Sequence, residues 1–372
     1  IDLDRAIEQR GWTTDRARRI EGIVIGTSHG LVLVFDHQEH LRAILGNNEH
    51  IEYGAVTAID VTPDGLWVAT GHQNGYVIVW DVAQATEIKV LTELHKGSPV
   101  VHVRFVRNVA ASPAAGKSSP NHSHVLSIDL VGVVYRTTLT SLLLYYSVAS
   151  VKLLDGGSGQ ILAVAVLQAG NVPHATDSMG LVAMCSSTAT FVIATSPDTA
   201  LVFKLKHPDT VAENKMALPY LTWRSAYGST VSALPGEHSK PRVRDPVLAI
   251  AYGRHVSLFQ AVPSSVRDRR GVEFIRSSQY TTDITLAGVH WLGTQGTVVS
   301  HPLAPPLSFS HSLAHSLTLS FSVLVLLNIK DQLRVLDPFA LTELENLDVT
   351  VWWWMRQSCV TSVCVSHRNS CT

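Results

Sequence analysis

The pentapeptide Gly26-Thr27-Ser28-His29-Gly30 has the G-x-S-x-G spacing of a hydrolase nucleophile elbow. That chemistry needs a strand, a sharp turn and then a helix, so that the serine oxygen stands clear beside an oxyanion hole. Here the alternating run LVLVFD (Leu31–Asp36) follows, and the same position recurs as Gly71-His72-Gln73-Asn74-Gly75 without a serine. The motif therefore reads as a hairpin turn. Cys359, Cys364, His367 and Cys371 offer four zinc-type ligands, but their spacing makes no C-x-x-C knuckle and no second half is paired with them. Asp60, Asp64 and Asp81 do not form a metal loop and read as strand-end and turn residues. His95 and Asp129 could orient an imidazole for base catalysis, yet no nucleophile is placed beside them. No catalytic residue, metal or cofactor is assigned.

What must position these residues is an internal repeat. GTSHGLVLVFD (Gly26–Asp36) moved by 45 residues falls on GHQNGYVIVWD (Gly71–Asp81). Gly30 then coincides with Gly75, Phe35 with Trp80 and Asp36 with Asp81. Such a period, with Trp-Asp closing a strand, is that of four-stranded propeller blades. Val56–Val61, Leu66–Thr70, Tyr76–Trp80 and Thr86–Leu91 read as four successive strands, with Pro63-Asp64-Gly65 as a turn between the first two. Val56, Ala58, Asp60 and Thr62 are expected on one face of the first strand, and Thr57, Ile59 and Val61 on the other.

Val100–Val106 opens a third unit. Its hairpin carries Gly132, 57 residues after Gly75, with SPAAGKSSPNHSH (112–124) as the inserted loop. Ile161–Leu167, LVAMCSS, TFVIAT and ALVFKLK form a fourth unit. YLTWRSA, VLAIAYG, HVSLFQA and VEFIRSS form a fifth, and ITLAGVHWL, VLVLLNI, QLRVLD and ELENLDV a sixth. His95 and Asp129 fall where WD-type blades place a hydrogen-bonded His–Asp pair. In the preceding blade Asn74 is read at the Asp position, so the set is incomplete there. The expected fold is an all-β, WD-repeat-like propeller of six to seven four-stranded blades, with Gly30, Gly75, Trp80, Asp81, His95, Asp129 and Gly132 as structural blade positions.

Composition agrees with many short buried strands. The chain has 372 residues, 46% hydrophobic and only 16% charged, with a net charge of -1. No basic excess is available for phosphates, so nucleic acid is not an expected partner. Three of the four cysteines crowd near the end, unlike a disulfide framework, so a reducing compartment is expected. The start, IDLDRAIEQRGWTTDRARR, has no apolar signal region, and the absence of an initial Met is read as a piece of a longer chain. Val298–Ile329 lacks Asp, Glu, Lys and Arg, but Pro302, Pro305, Pro306 and many Ser argue against a lipid-facing helix.

The runs VIGTSHGLVLVFD, YGAVTAIDVTPDG, GYVIVWDVAQATEIKVLTELHKGSPVVHVRFV and LNIKDQLRVLDPFALTELENLDV resemble the N-terminal propeller of the vacuolar protein sorting-associated protein 8 family. The resemblance covers residues 22–165 well and 180–348 more loosely. It implies a non-catalytic subunit of the CORVET tethering complex, acting in endosome-to-vacuole or lysosome transport. It also implies other tethering subunits and an endosomal Rab GTPase as partners, and a cytoplasmic location, peripheral on the endosomal membrane. Another WD-repeat adaptor, for ubiquitin ligation or signalling, is the alternative reading. A propeller hydrolase is a third, but it would need converging carboxylates or histidines that the sequence does not gather.

The expected organisation is an N-terminal segment (1–21), a propeller (22–348) interrupted by a low-complexity insertion (297–322), and an irregular tail (349–372). Insertion and tail break the blade pattern abruptly and are read as translated non-coding sequence. Sequencing the mature transcript should show a message without them; a message encoding both in frame overturns that reading.

Overall fold

The computed structural model describes residues 22–62, 64–107, 122–141, 146–157, 159–170, 172–196, 198–207, 218–229, 242–264, 271–282 and 285–292, and the strands within 323–328, 332–336 and 343–348. Pro63, Asp337, most of the 112–124 loop, the 1–21 and 297–322 segments and the cysteine-rich tail lie outside the described residues.

Among the described residues, twenty-three strands form six principal antiparallel sheets, and two more form a small hairpin. The first has three strands, β1 (Gly22–Gly26), β2 (Val32–Asp36) and β3 (Leu41–Leu45). The second is β4 (Val56–Val61), β5 (Trp67–His72), β6 (Val77–Asp81) and β7 (Thr86–Leu91). The third is β8 (Val100–Arg107), β9 (His122–Asp129), β10 (Val133–Ser141) and β11 (Tyr146–Asp155). The fourth is β12 (Ile161–Val166), β13 (Leu181–Ser186), β14 (Ala189–Ala194) and β15 (Ala200–Lys206).

The fifth sheet begins with β16 (Pro219–Arg224). A small hairpin, β17 (Tyr227–Ser229) with β18 (Arg242–Arg244), comes before its remaining strands. These are β19 (Val247–Tyr252), β20 (His255–Pro263) and β21 (Val272–Thr281). The sixth is β22 (Leu286–Leu292), β23 (Val323–Asn328), β24 (Gln332–Leu336) and β25 (Glu343–Asp348). Each four-stranded sheet is a meander, its strands hydrogen-bonded in chain order. The sheets divide into two compact units, β1–β11 and β12–β25.

Within each unit, consecutive sheets meet face to face. In the first unit, Val32, Val34, Ala43 and Leu45 of the first sheet pack on Val68, Ile78 and Trp80 of the second. The opposite face of the second sheet, with Ala69, Val77 and Val79, packs on Val100, Val103, Phe105, Val125 and Leu139 of the third. Successive residues of β6 thus serve two cores in turn, which is why YVIVW is apolar throughout instead of alternating with polar residues. In the second unit, Leu181, Ala183 and Val192 of the fourth sheet pack on Leu248, Ile250 and Phe259 of the fifth. Ala249, Ala251 and Leu258, on the fifth sheet's other face, meet Leu286 and Val289 of the sixth.

The sheets approach most closely at glycine. A Cβ on Gly26 would overlap Val56, and one on Gly71 would overlap Val100, so each glycine admits the first strand of the next sheet.

Two features differ from the sequence reading. Every principal sheet carries a bulge in its last strand. The extra residue is Arg42, Ile88, Leu153, Val202, Ser277 or Leu344. Such a bulge bends and twists the outer strand. A second irregularity lies at Thr57 in β4. Strict alternation put Val56 with Ala58, but the extra residue turns Val56 to the side of Ile59 and Val61, facing the first sheet, while Ala58 faces the third. The residues read as the end of the inserted loop, His122–His124, belong to β9.

Gly75 and Gly97 both adopt left-handed backbone, at φ 89° and 69°. A Cβ on Gly75 would overlap the His95 carbonyl, whereas one on Gly97 meets nothing within 4 Å. Gly97→Ala should cost about 1 kcal/mol from backbone conformation alone. Gly75→Ala should cost about 3 kcal/mol or more, since the loop carrying His95 must also retreat. Chemical denaturation checks this, and equal losses would refute the close-contact account.

Candidate functional site

Of the residues singled out for chemistry, Ser28, His29, Asp64, Asp81, His95 and Asp129 lie at hairpin turns, strand ends and inter-sheet loops of the first unit. His95 sits between β7 and β8 with 2% exposure. Its Nδ1 lies 3.3 Å from Asp129 Oδ2 and its Nε2 2.8 Å from Ser127 Oγ. With Nδ1–H donating to the carboxylate, Nε2 is left to accept the Ser127 hydroxyl. Asp129 Oδ1 accepts from the N–H groups of Val131 (3.1 Å) and Val133 (2.8 Å), closing the turn at Gly132. Tyr135 sets its ring edge-on to His95 at 5.2 Å. Burial pushes the His95 pKa down, against the pull of Asp129. One imidazole thus ties the loop after the second sheet to the hairpin of the third.

The second sheet solves the same problem with different residues. Trp80 Nε1–H donates to Thr70 Oγ1 at 3.1 Å, and Thr70 Oγ1 lies 3.0 Å from His72 Nε2. His72 Nδ1–H donates to the Gly54 carbonyl at 3.2 Å, so Nε2 accepts the Thr70 hydroxyl and the ring is neutral. The Asp position of this sheet therefore belongs to His72, not Asn74. The spacing that takes Gly75 to Gly132 takes His72 to Asp129 and Thr70 to Ser127. Asn74 instead donates from Nδ2 to the Glu52 carbonyl at 2.7 Å.

With no carboxylate at position 72, His50 turns elsewhere. Its Nε2 lies 2.5 Å from Glu87 Oε1, and its ring packs 5.1 Å from Trp80. The third sheet, conversely, keeps His, Ser and Asp but has buried Thr137 at the place of Trp80, bonded to Ser150 Oγ at 2.9 Å.

The aspartates that end β2 and β6 act locally. Asp36 accepts from Gln38 N, His40 N and Arg42 Nε at 2.7–2.9 Å. Burial opposes its charge, but the His40 and Gln38 N–H groups and the Arg42 guanidinium together hold its pKa down to about 2. Asp81 Oδ1 accepts from Gln84 N at 3.0 Å, the same turn closure in lighter form. Asp60 accepts Phe105 N at 2.7 Å, linking the first strands of two sheets. Ser28 and His29 are exposed on a hairpin turn whose Gly30 has φ 78°, and strand β2 follows where an elbow would need a helix.

The second unit holds two histidine clusters to which the sequence reading attached no role. His207 Nε2 lies 2.9 Å from Thr190 Oγ1 and 3.6 Å from Cys185 Sγ, and its ring packs 4.9 Å from Tyr252. Burial pushes the Cys185 thiol up to about 12, so the sulfur stays protonated and is no nucleophile. His174 Nε2 lies 3.0 Å from Asp245 Oδ1, and its Nδ1 lies 2.8 Å from Thr176 Oγ1. The order Thr–His–Asp is that of a catalytic triad, but Thr176 is 1% exposed and out of reach of any substrate. Among the described residues no three His, Cys, Asp or Glu side chains are grouped to hold a metal. The Cys359, Cys364, His367 and Cys371 set lies outside them.

Meandering four-stranded sheets, stacked through both faces and tied by buried His, Ser/Thr and Asp at their turns, define an all-β WD-repeat-like propeller. In agreement, the crystal structure of Saccharomyces cerevisiae Sqt1 matches with a TM-score of 0.51 over 89% of this chain and 73% of that one, at 11% identity. The Vps8 beta-propeller family matches residues 20–299, and the chain belongs to that family. Among its relatives is the vacuolar protein sorting-associated protein 8 homolog of Mus musculus, 26% identical over 47% of this chain. The Drosophila melanogaster homolog is 23% identical over 73% of this chain. These matches span 12% of the mouse protein's length and 20% of the fly protein's.

Burial pushes the His72 pKa from 6.5 down to about 4, so its neutral form is favoured in the fold. The unfolded chain then binds a proton that the folded chain refuses. Stability is full above pH 6.5 and falls as the pH drops toward 4, by about 3 kcal/mol from this group. His72→Gln should flatten that part of the pH profile of urea unfolding. An unchanged slope would mean that His72 does not titrate between those limits.

Proposed function

We propose that this propeller is a non-catalytic docking scaffold within an endosomal vesicle tethering complex, acting in transport to the vacuole or lysosome. The observation that carries this reading is the family match across residues 20–299, together with relatives whose names place them in vacuolar protein sorting. Its partners would be the other tethering subunits and an endosomal Rab GTPase, reached from the cytoplasm with the complex peripheral on the endosomal membrane. Nucleic acid is not among them, given the net charge of -1. Among the described residues no helix is long and apolar enough to cross a membrane.

The geometry supports docking over catalysis. The imidazoles and hydroxyls at the loop end of the first unit are buried and bonded to one another, holding loops in place. Among the side chains those loops offer outward are several apolar ones. Ile51 is 52% exposed on the short 3-10 helix Asn48–Tyr53, and Leu130 and Val131 are 43% and 56% exposed at the β9–β10 turn. Gln73 N bonds to the Ala55 carbonyl and Leu130 N to the Pro99 carbonyl, each at 2.9 Å, so turns and inter-sheet loops form one connected end. Apolar side chains held on rigid loops suit a protein partner.

The test is binding of the purified chain to the other tethering subunits and to an endosomal Rab GTPase loaded with GTP or GDP. Ile51→Asp with Val131→Asp should weaken binding about tenfold or more without lowering Tm. No binding to any of these proteins would overturn the tethering assignment. Equal binding by the double variant would overturn the choice of the loop end.

A further inference from the structure

We propose that Asn74-Gly75 is a site of spontaneous deamidation, held in check by its own turn, and that the reaction releases the 3-10 helix Asn48–Tyr53. The inference rests on the chemistry of one dipeptide and its hydrogen bonds, and it is independent of the tethering role. This is the single Asn-Gly step in the 372 residues. Glycine has no Cβ to crowd its backbone nitrogen, so that nitrogen can attack the neighbouring side-chain amide. The bond from Gly75 N to Asn74 Cγ forms, the Cγ–Nδ2 bond breaks, and the Gly75 proton leaves with Nδ2 as ammonia. Water then opens the cyclic imide at either carbonyl. One product is aspartate, and the other is isoaspartate, with the backbone routed through Cγ.

In the fold both reacting groups are occupied. Asn74 is exposed on the turn that joins β5 to β6. Gly75 N–H donates to the His72 carbonyl at 3.1 Å, with the glycine at φ 89°. Asn74 Nδ2 donates to the Glu52 carbonyl at 2.7 Å, and Asn74 N–H to the Tyr53 carbonyl at 3.1 Å. The Tyr53 ring braces the same contact, 4.3 Å from Tyr76 and 6.1 Å from His72. Attack on Cγ requires the amide to leave Glu52 and the Gly75 N–H to leave His72, so the reaction runs from a locally opened turn.

The product does not reclose as before. Asn74 is the donor that holds the last carbonyls of the 3-10 helix. A carboxylate at position 74 sets an oxygen against the Glu52 carbonyl where an N–H had been, acceptor facing acceptor. The isoaspartate form also lengthens the backbone of the turn, so the N–H groups that reach Tyr53 and His72 lose their spacing. The helix so released carries the exposed Ile51 and is closed by the Gly54 N–H bond to the Ile51 carbonyl at 3.1 Å.

Incubating the full chain at mildly alkaline pH, followed by peptide mapping with mass spectrometry, gives the rate at each asparagine. In urea Asn74 should deamidate at least ~10-fold faster than Asn47, which is followed by Asn48 instead of a glycine. In the folded chain Asn74 should react ~10-fold or more slowly than in urea. Tyr53→Ala should raise the folded rate by ~10-fold and leave the urea rate unchanged. Equal rates at Asn74 in folded and unfolded chain overturn the proposal, even if Tyr53→Ala does not fold, and so does an equally fast Asn47 in urea. Hydrogen exchange reads the consequence. Asn74→Asp should speed exchange at the Gly54 amide by ~10-fold, whereas Asn48→Asp, which adds the same charge to the start of the helix, should not. Unchanged exchange at Gly54 in Asn74→Asp refutes the release of the helix.

Discussion

A four-stranded sheet that is apolar on both faces has no stable existence alone, and that constraint governs the chain. Burying about 25 cal/mol per Å² on one face still leaves the other in water. The second sheet meets the constraint on both sides, with Trp80 and Ile78 against one neighbour and Val77 and Val79 against the other. The fifth sheet does the same in the second unit. From this follows the gradient across each sheet. The middle strands β6, β13, β14 and β19 are almost wholly buried, while the fourth strands β11 and β21 stand largely in solvent. Packing is thus a relation between consecutive sheets, and each sheet's sequence is free to drift while its two faces stay apolar.

The polar groups follow from the same geometry. Stacked sheets bring their turns and inter-sheet loops together, and buried backbone there must find partners. An imidazole suits the task because its neutral form donates from one nitrogen and accepts at the other. His72 and His95 each do both, and burial depresses the pKa of each. A histidine spent in this way is lost to acid–base catalysis near neutral pH, and the resulting rigidity benefits the apolar side chains of the loops outside it.

Much of this was legible in the sequence, because glycines and apolar runs have direct physical causes. Gly71 and Gly75 are required by a close strand and a left-handed turn, and the strands of the second sheet lie within two residues of where their alternation puts them. β3 and β11 went unclaimed. β11 exposes both faces, so YSVASVKLLD has no burial pattern to betray it. The last-strand bulges are hidden for a related reason: one extra residue in a half-exposed strand leaves no mark on a period of two. At Thr57 the cost was larger, since one unrecognised residue reversed the side assigned to Val56. Asn74 resembles Asp chemically but not in register, since the spacing from Gly75 to Gly132 places His72, not Asn74, on Asp129.

The histidine at position 72 bears on what the repeat preserves from one sheet to the next. A polar set of Trp, Ser or Thr, His and Asp is divided between two adjacent sheets, one keeping Trp80 and Thr70, the other His95, Ser127 and Asp129. If the set acted as one catalytic unit, dividing it would abolish function, because such units fail together when a member is lost. As a fastening it can be divided, provided that each buried donor and acceptor finds a partner. Placing an imidazole at position 72 gives Thr70 its acceptor and Gly54 its donor, while His50 finds Glu87. What persists across the two sheets is therefore satisfied hydrogen bonding at a fixed distance between loop and hairpin, and the residues supplying it are exchangeable.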